Sequence, residues 1–290
     1  EAVGGREAIG TEAPQAPPSL SPPALSPAQR RFLARDLPQA HHWNRAVMLA
    51  PARPLDPGVL SRALLLLAER HDALRLRFRH GPQDWERSLA PAPEAGPLTL
   101  AEGDVTEAAA RMQAGFDLAE GPLWGAVLGT GADGGQRLAV AAHRLLADAA
   151  SWRVLLDDLE AILAALEAGE TPPPRPRAPL PPETPDAPPG DAAPFPLDDP
   201  EGSNLERDAR THLLALDAET TARLLHEAPA AFPVAPQEAL AAALALALAE
   251  HTGAPALDLE LEGHGRDALP GGRGLGGAVG GLTSCRSVRL

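Results

Sequence analysis

The sequence predicts an α/β (or α+β) fold of two layers, on three observations. Strand-like and helix-like segments alternate in both halves of the chain. Two Pro-rich stretches, 1–25 and 171–209, flank a long first set of elements and precede a shorter second set. The 290 residues are 44% hydrophobic, enough for a substantial core, at a length that suits about two domains. The expected organisation is a linker at 1–25, an N-terminal lobe at 26–170, a Pro-rich interlobe linker at 171–209 and a partial C-terminal lobe at 210–290.

The elements follow in order. Ser26-Pro27 supplies a cap and a proline at the first helical position, opening a helix from Ala28 to Leu37. Trp43 to Ala50 alternates like a strand. Asp56-Pro57 opens a stronger helix through Leu60, Ala63, Leu64, Leu67 and Ala68, ending near His71. Strands are expected at Ala73–Arg79 and Trp85–Ala90, and Asp104 caps a helix to about Gly115. Leu123–Gly129 and Arg137–Ala142 are apolar enough for inner strands. Ser151 to Leu166 carries Trp152, Leu155, Leu159 and Ile162 on one helical stripe. After the second Pro-rich stretch come a strand at His212–Leu216, a helix at Ala218–Glu227, a very apolar helix at Ala235–Glu250 and a strand at Leu257–Glu262. A Gly-rich stretch then leads to the start of a further strand at Ser287–Leu290. These last elements are too few to cover both faces of a sheet.

Composition excludes several functions. The net charge is −14 and the chain has no lysine, which argues against nucleic-acid binding and against docking on an anionic membrane. The single Cys285 excludes an internal disulfide and a Cys-rich zinc site. No apolar run reaches the ~18 residues of a membrane span. Glu1 is not an initiator Met and no signal peptide precedes the first helix, so the chain reads as a piece of a cytoplasmic protein, cut at both ends. His41 and His42, read as adjacent strand residues, point to opposite faces, and no metal is expected. Gly272 to Gly277 formally satisfies Gly-x-Gly-x-x-Gly, but without a strand running in or a helix following it reads as a flexible loop. Cys285 has no evident His–acid companions and does not read as a nucleophile. The apolar helix Ala235–Glu250 reads as core.

The stretch most informative about chemistry runs from Ala142 to Trp152, where a buried strand meets a long helix. His143 on the strand reads as structural, and Asp148 as a carboxylate that fixes the loop by pairing with an arginine. This stretch resembles the condensation superfamily of nonribosomal peptide synthetases, which carries His-His-x-x-x-Asp-Gly at this junction. Ser151-Trp152 followed by an amphipathic helix resembles the epimerisation subgroup. So do His41-His42-Trp43-Asn44 and Glu262-Gly263-His264-Gly265-Arg266. Leu25 to Gln29, Arg70 to Phe78, Phe116-Asp117-Leu118 with Gly121-Pro122-Leu123, and Val279-Gly280 with Thr283-Ser284 extend the likeness in order along the chain.

The resemblance implies two lobes like chloramphenicol acetyltransferase, set around a tunnel. It implies a substrate held as an aminoacyl or peptidyl thioester on the phosphopantetheine arm of a peptidyl carrier domain, with neighbouring synthetase modules as partners and no cofactor of the domain's own. In the epimerisation type the second motif His and the Glu of Glu-Gly-His-Gly-Arg work on opposite faces of Cα. Carried over, the candidate catalytic positions are Glu262, Arg144 and His143, the tunnel positions His264, Ser151 and Trp152, and the structural pair Asp148 with Arg75. The base position is where the chain departs: Arg144 stands for the second His, and a guanidinium does not act as a base at neutral pH. Arg144 is instead positioned to stabilise an enolate or to pair with Glu262 across the tunnel. The motif Gly is Ala149, and Gly281, Leu282 and Arg286 replace family residues in the last motif. Three readings follow: an epimerisation-type domain with impaired or absent chemistry, a non-catalytic module docking a carrier or tailoring enzyme, and a domain forming amide or ester bonds. Arg144 favours the second over the first; His41 to Asn44 and Ser151-Trp152 disfavour the third.

Overall fold

The computed structural model describes residues 25–173, 199–203, 205–232, 234–253, 256, 258–266 and 277–289. Most of both Pro-rich linkers, and the Gly-x-Gly-x-x-Gly stretch apart from Gly277, lie outside these residues.

The N-terminal half of the chain is built on a four-stranded sheet. Its strands are β1 (Asn44–Leu49), β4 (Leu98–Asp104), β5 (Trp124–Thr130) and β6 (Gln136–His143), in the order β1-β6-β5-β4. β6 is antiparallel to both neighbours, and β4 runs parallel to β5. β2 (Leu76–His80) and β3 (Trp85–Leu89) form a separate antiparallel hairpin. The two inner strands are covered on both faces, which explains their continuous Ala, Val and Leu runs. Ala126, Leu128, Leu138 and Val140 pack into the main core with α2 (Pro57–Arg70) and α4 (Ala149–Glu167). Val127 and Ala139 turn to the other face and meet Val105, Ala108 and Ala109 of α3 (Val105–Ala114).

The helices begin where the sequence places them. Asp56 Oδ1 accepts the Val59 amide at 2.9 Å, one of the donors a helix start leaves open. The buried face of α2 is Leu60, Ala63, Leu64, Leu67 and Ala68, the expected stripe. At α1 (Pro27–Leu33), Ser26 and Gln29 form a reciprocal capping box behind Pro27.

Five expectations change. The first helix, expected to run to Leu37, ends at Leu33. The strand expected at Ala73–Arg79 starts later, because Asp72–Arg75 turn as a short 3-10 helix. His41 and His42 also sit in a 3-10 turn, Ala40–His42, ahead of the strand. His212–Leu216 forms no strand: no neighbouring strand pairs with it among the described residues, and Leu213 and Leu214 are 91% and 99% exposed. The apolar helix α7 (Pro236–Thr252) is not core; Ala241 is its one buried residue, while Leu240, Leu244 and Leu246 face solvent.

Between His212 and α7 the helix α5 (Ala218–Ala222) continues through a π-helical turn, Arg223–Glu227, into α6 (Ala228–Ala231). The last strands, β7 (Asp258–Gly263) and β8 (Ser284–Arg289), pair antiparallel with Glu262 opposite Cys285. No single described helix is long and apolar enough to cross a membrane.

Candidate functional site

The site forms where β6 ends. β1 and β6 pair through Asn44 and His143, and the Arg144 amide donates to the Trp43 carbonyl at 2.9 Å. The chain then turns through 144–148 into α4, whose first amides Asp148 caps: its Oδ1 accepts from the Ser151 amide at 2.9 Å.

His143 is fully buried, edge-on to Phe32 at 5.6 Å between ring centroids. Its Nε2 lies 2.8 Å from the Ala40 carbonyl, and its Nδ1 accepts the Leu145 amide at 3.2 Å. These partners fit a neutral ring protonated at Nε2. Burial pushes its pKa down to about 4, the Ala40 carbonyl opposes that, and Arg144, His41 and His42 add to it. Both ring nitrogens are committed to backbone groups.

The Arg144 guanidinium lies over the Phe32 ring at 5.2 Å and the Trp43 ring at 5.8 Å. Burial holds its pKa below the usual arginine range; Arg35 and Arg45 push the same way and Glu262 opposes them. Arg144 and Glu262 line one cavity of about 70 Å³, together with residues of α1, β1, β7 and β8. No salt bridge joins the two among the described residues; aromatic stacking holds the guanidinium instead. The expected closure of the tunnel by an Arg144–Glu262 pair is therefore not what this geometry displays.

The structure corrects the partner of Asp148. Arg266 holds it, with Nη1 donating to Oδ2 at 2.9 Å and Nη2 to Oδ1 at 2.8 Å. Arg75 pairs with Asp72 instead, and donates to the Ala90 carbonyl at 2.8 Å. The physical reason is local: the 3-10 turn Asp72–Arg75 brings that acid within reach of its own arginine. Arg266 comes from the turn after β7, and Gly265 makes that turn possible. Gly265 has φ +63°, and a Cβ there would sit 1.6 Å from the Leu282 carbonyl oxygen.

Ser151 and Trp152 do not line the cavity. Ser151 is a buried hub: its Oγ donates to Asp148 at 2.8 Å and accepts from Arg266 at 2.9 Å and from the Gly280 amide at 3.0 Å. Trp152 is packed in the main core. His264 is exposed outside the cavity lining, with its Nδ1 accepting the Arg266 amide at 3.0 Å. Glu262 does line the cavity, at the exposed end of β7.

Several site residues were not foreseen. Ser26 Oγ donates to the Gly281 carbonyl at 2.6 Å, and Gln29 Nε2 to the Leu145 carbonyl at 2.9 Å, so the start of α1 ties the motif loop to the segment before β8. Arg31 and Arg35 reach the cavity from the α1 side, Arg45 from β1, and Glu260 and Cys285 from the last two strands. For Ala28, Arg31 and Phe32 the signal was helical spacing; Arg35 follows in the turn after α1. The Cys285 thiol is pushed up by burial, with Arg31 opposing and Glu262 and Glu260 adding to it. No cluster of three or more His, Cys, Asp or Glu suited to a metal occurs among the described residues.

A sheet flanked by helices, a strand-to-helix turn capped by Asp148, and an arginine from the second half that locks that turn define an α/β domain of the chloramphenicol-acetyltransferase-like type. The chain matches the Condensation domain family over residues 23–179, and it belongs to that family. It is similar to chondramide synthase cmdD of Chondromyces crocatus, 33% identical over 92% of this chain but only 8% of that synthase. It is also similar to surfactin synthase subunit 1 of Bacillus subtilis (strain 168), 31% identical over 84% of this chain and 8% of that subunit. The chain thus spans less than a tenth of these relatives. Its fold is similar to the epimerization domain from the third module of tyrocidine synthetase B, with a TM-score of 0.76 and 24% identity over 93% of this chain and 68% of that one. The X-domain from teicoplanin biosynthesis matches with a TM-score of 0.72 and 24% identity, over 96% of this chain and 67% of that one.

Proposed function

We propose that this chain is an epimerisation-type domain of a nonribosomal peptide synthetase in which Cα proton transfer is absent or severely impaired, so that its role is to dock a carrier-bound aminoacyl or peptidyl thioester. The lobes at 26–170 and 210–290 would frame the channel for the carrier's phosphopantetheine arm. The observation that carries the reading is Arg144: it occupies the base position, and Phe32 and Trp43 hold its guanidinium in place.

Epimerisation at Cα removes a proton from one face and returns one to the other. The thioester acidifies the C–H bond, and the protein must supply a base, an acid and a place for enolate charge. Glu262 lines the cavity and is available as one proton carrier. The other face lacks one: Arg144 keeps its proton, and His143 has both nitrogens bonded to backbone. Arg144 can still offset enolate charge, which leaves a domain that binds its substrate without inverting it.

A second reading, docking of a tailoring enzyme, is favoured by one observation. A similar structure, with a TM-score of 0.71 over 98% of this chain, is an X-domain in complex with OxyB from teicoplanin biosynthesis. The amide- or ester-forming alternative has no comparable support in the site.

The test is binding and exchange together. A carrier domain loaded with an L-aminoacyl thioester is titrated with this chain, and Cα deuterium is then followed in D₂O by mass. Binding without exchange above the protein-free rate is the expected result. Exchange that is lost in Glu262→Gln would reverse the reading.

A further inference from the structure

The cavity beside Arg144 gathers four arginines beside three carboxylates, Asp148, Glu260 and Glu262, and the proton chemistry does not explain so many arginines. Arg31, Arg35, Arg45 and Arg144 all line it, in a chain whose net charge is −14. Arg35, Arg45 and Arg144 form no ion pair with a carboxylate among the described residues, whereas many other arginines, such as Arg53, Arg79, Arg137 and Arg289, do. Asp148, the carboxylate nearest in the chain to Arg144, is already taken by Arg266. Arg35 and Arg45 also repel the partly buried Arg144 charge, while Glu262 attracts it.

We propose that this cavity binds a small oxyanion, a phosphate or a carboxylate, held by Arg35, Arg45 and Arg144. Guanidiniums match the fork of such anions. Stacking on Phe32 and Trp43 fixes Arg144 in advance, which lowers the ordering cost of binding. A volume of about 70 Å³ suits the anionic head of a ligand, not a whole peptide. Glu260 and Glu262 lie on one face of β7 and line the cavity too. They disfavour a second negative group there, so the rest of the ligand is neutral or cationic at that wall. The proposal shares with the functional reading the view that Arg144 is not a base. It requires neither a carrier nor a thioester, so its test fails independently of the exchange assay.

The full chain is titrated by calorimetry with inorganic phosphate and, separately, with acetate, at ionic strength held constant with chloride. Saturable binding of one or both is expected. Tighter phosphate binding assigns the site to a phosphate ester, and tighter acetate binding to a carboxylate. Arg35→Gln and Arg45→Gln, both at exposed side chains, should each weaken binding about tenfold with unchanged far-UV circular dichroism. Glu260→Gln should tighten it, and Arg53→Gln, outside the cavity, should leave it unchanged. Absence of saturable binding by either anion, or binding indifferent to Arg35→Gln and Arg45→Gln, would overturn the proposal.

Discussion

Arg266 and Asp148, 118 positions apart in the chain, meet in a buried two-pronged ion pair with donor–acceptor distances of 2.9 and 2.8 Å. The pair sits at the N-terminus of α4 and also receives the Leu282 amide at 3.1 Å, so one carboxylate caps a helix and holds two segments of the second half. The motif loop that carries Arg144 is thereby fixed from both halves of the fold.

Arg266→Ala and Asp148→Ala should each lower stability by ~3–5 kcal/mol, because each leaves an uncompensated buried charge. The double variant should lose much less than the sum, since the two act as one unit. Urea denaturation midpoints measure this. Additive losses would mean the two side chains contribute separately.

His143 makes stability depend on pH in a defined window. Its folded pKa is about 4 against an ordinary 6.5, so between these values the unfolded chain binds a proton that the folded chain does not. This group's contribution is therefore complete above about 6.5 and is lost as pH falls toward about 4, by up to ~1.4 kcal/mol per pH unit. His143→Gln should flatten the slope of stability between pH 7 and pH 5. An unchanged slope would show that the ring is protonated in place.

The outward leucines of the second half define a further outcome. Leu214 is 99% exposed and Leu246 of α7 is 74% exposed. Leu214→Glu and Leu246→Glu should reduce binding of an apolar dye and self-association, with stability changed by no more than ~0.5 kcal/mol. A large loss of stability would mean that these side chains are covered in solution.

How far the sequence was legible depends on whether the cause was local. Helix starts at Ser26-Pro27 and Asp56-Pro57 follow from capping chemistry within three residues and were readable, whereas the helix expected from Ser151 starts at Ala149 with Asp148 as its cap, a role the sequence reading did not assign. β4 was missed because Leu98–Asp104 has a polar, Gly-containing sequence and becomes a strand through its parallel partner β5. His212–Leu216 failed for the converse reason, a strand pattern with no strand beside it among the described residues. In the site, Arg144 and Glu262 could be singled out by resemblance, and both line the cavity. The Asp148 partner could not be chosen by proximity in sequence. Arg266 was already present in the quoted Glu262 to Arg266 motif, and only the fold shows that its guanidinium, rather than that of Arg75, reaches the loop. Ser151 and Trp152 were legible as a motif, but both are buried and neither lines the cavity.

The central claim is that Arg144 stands where a proton carrier is needed. The most direct measurement compares Cα deuterium incorporation into a carrier-bound L-aminoacyl thioester by the wild-type chain and by Arg144→His, in D₂O at neutral pH. An imidazole, unlike a guanidinium, can give up its proton at neutral pH, and a positioned general base contributes ~10²–10⁴-fold. The account predicts no incorporation above background for the wild-type chain and a clear gain for Arg144→His, abolished by adding Glu262→Gln. Wild-type incorporation above background, not raised by Arg144→His, would contradict it.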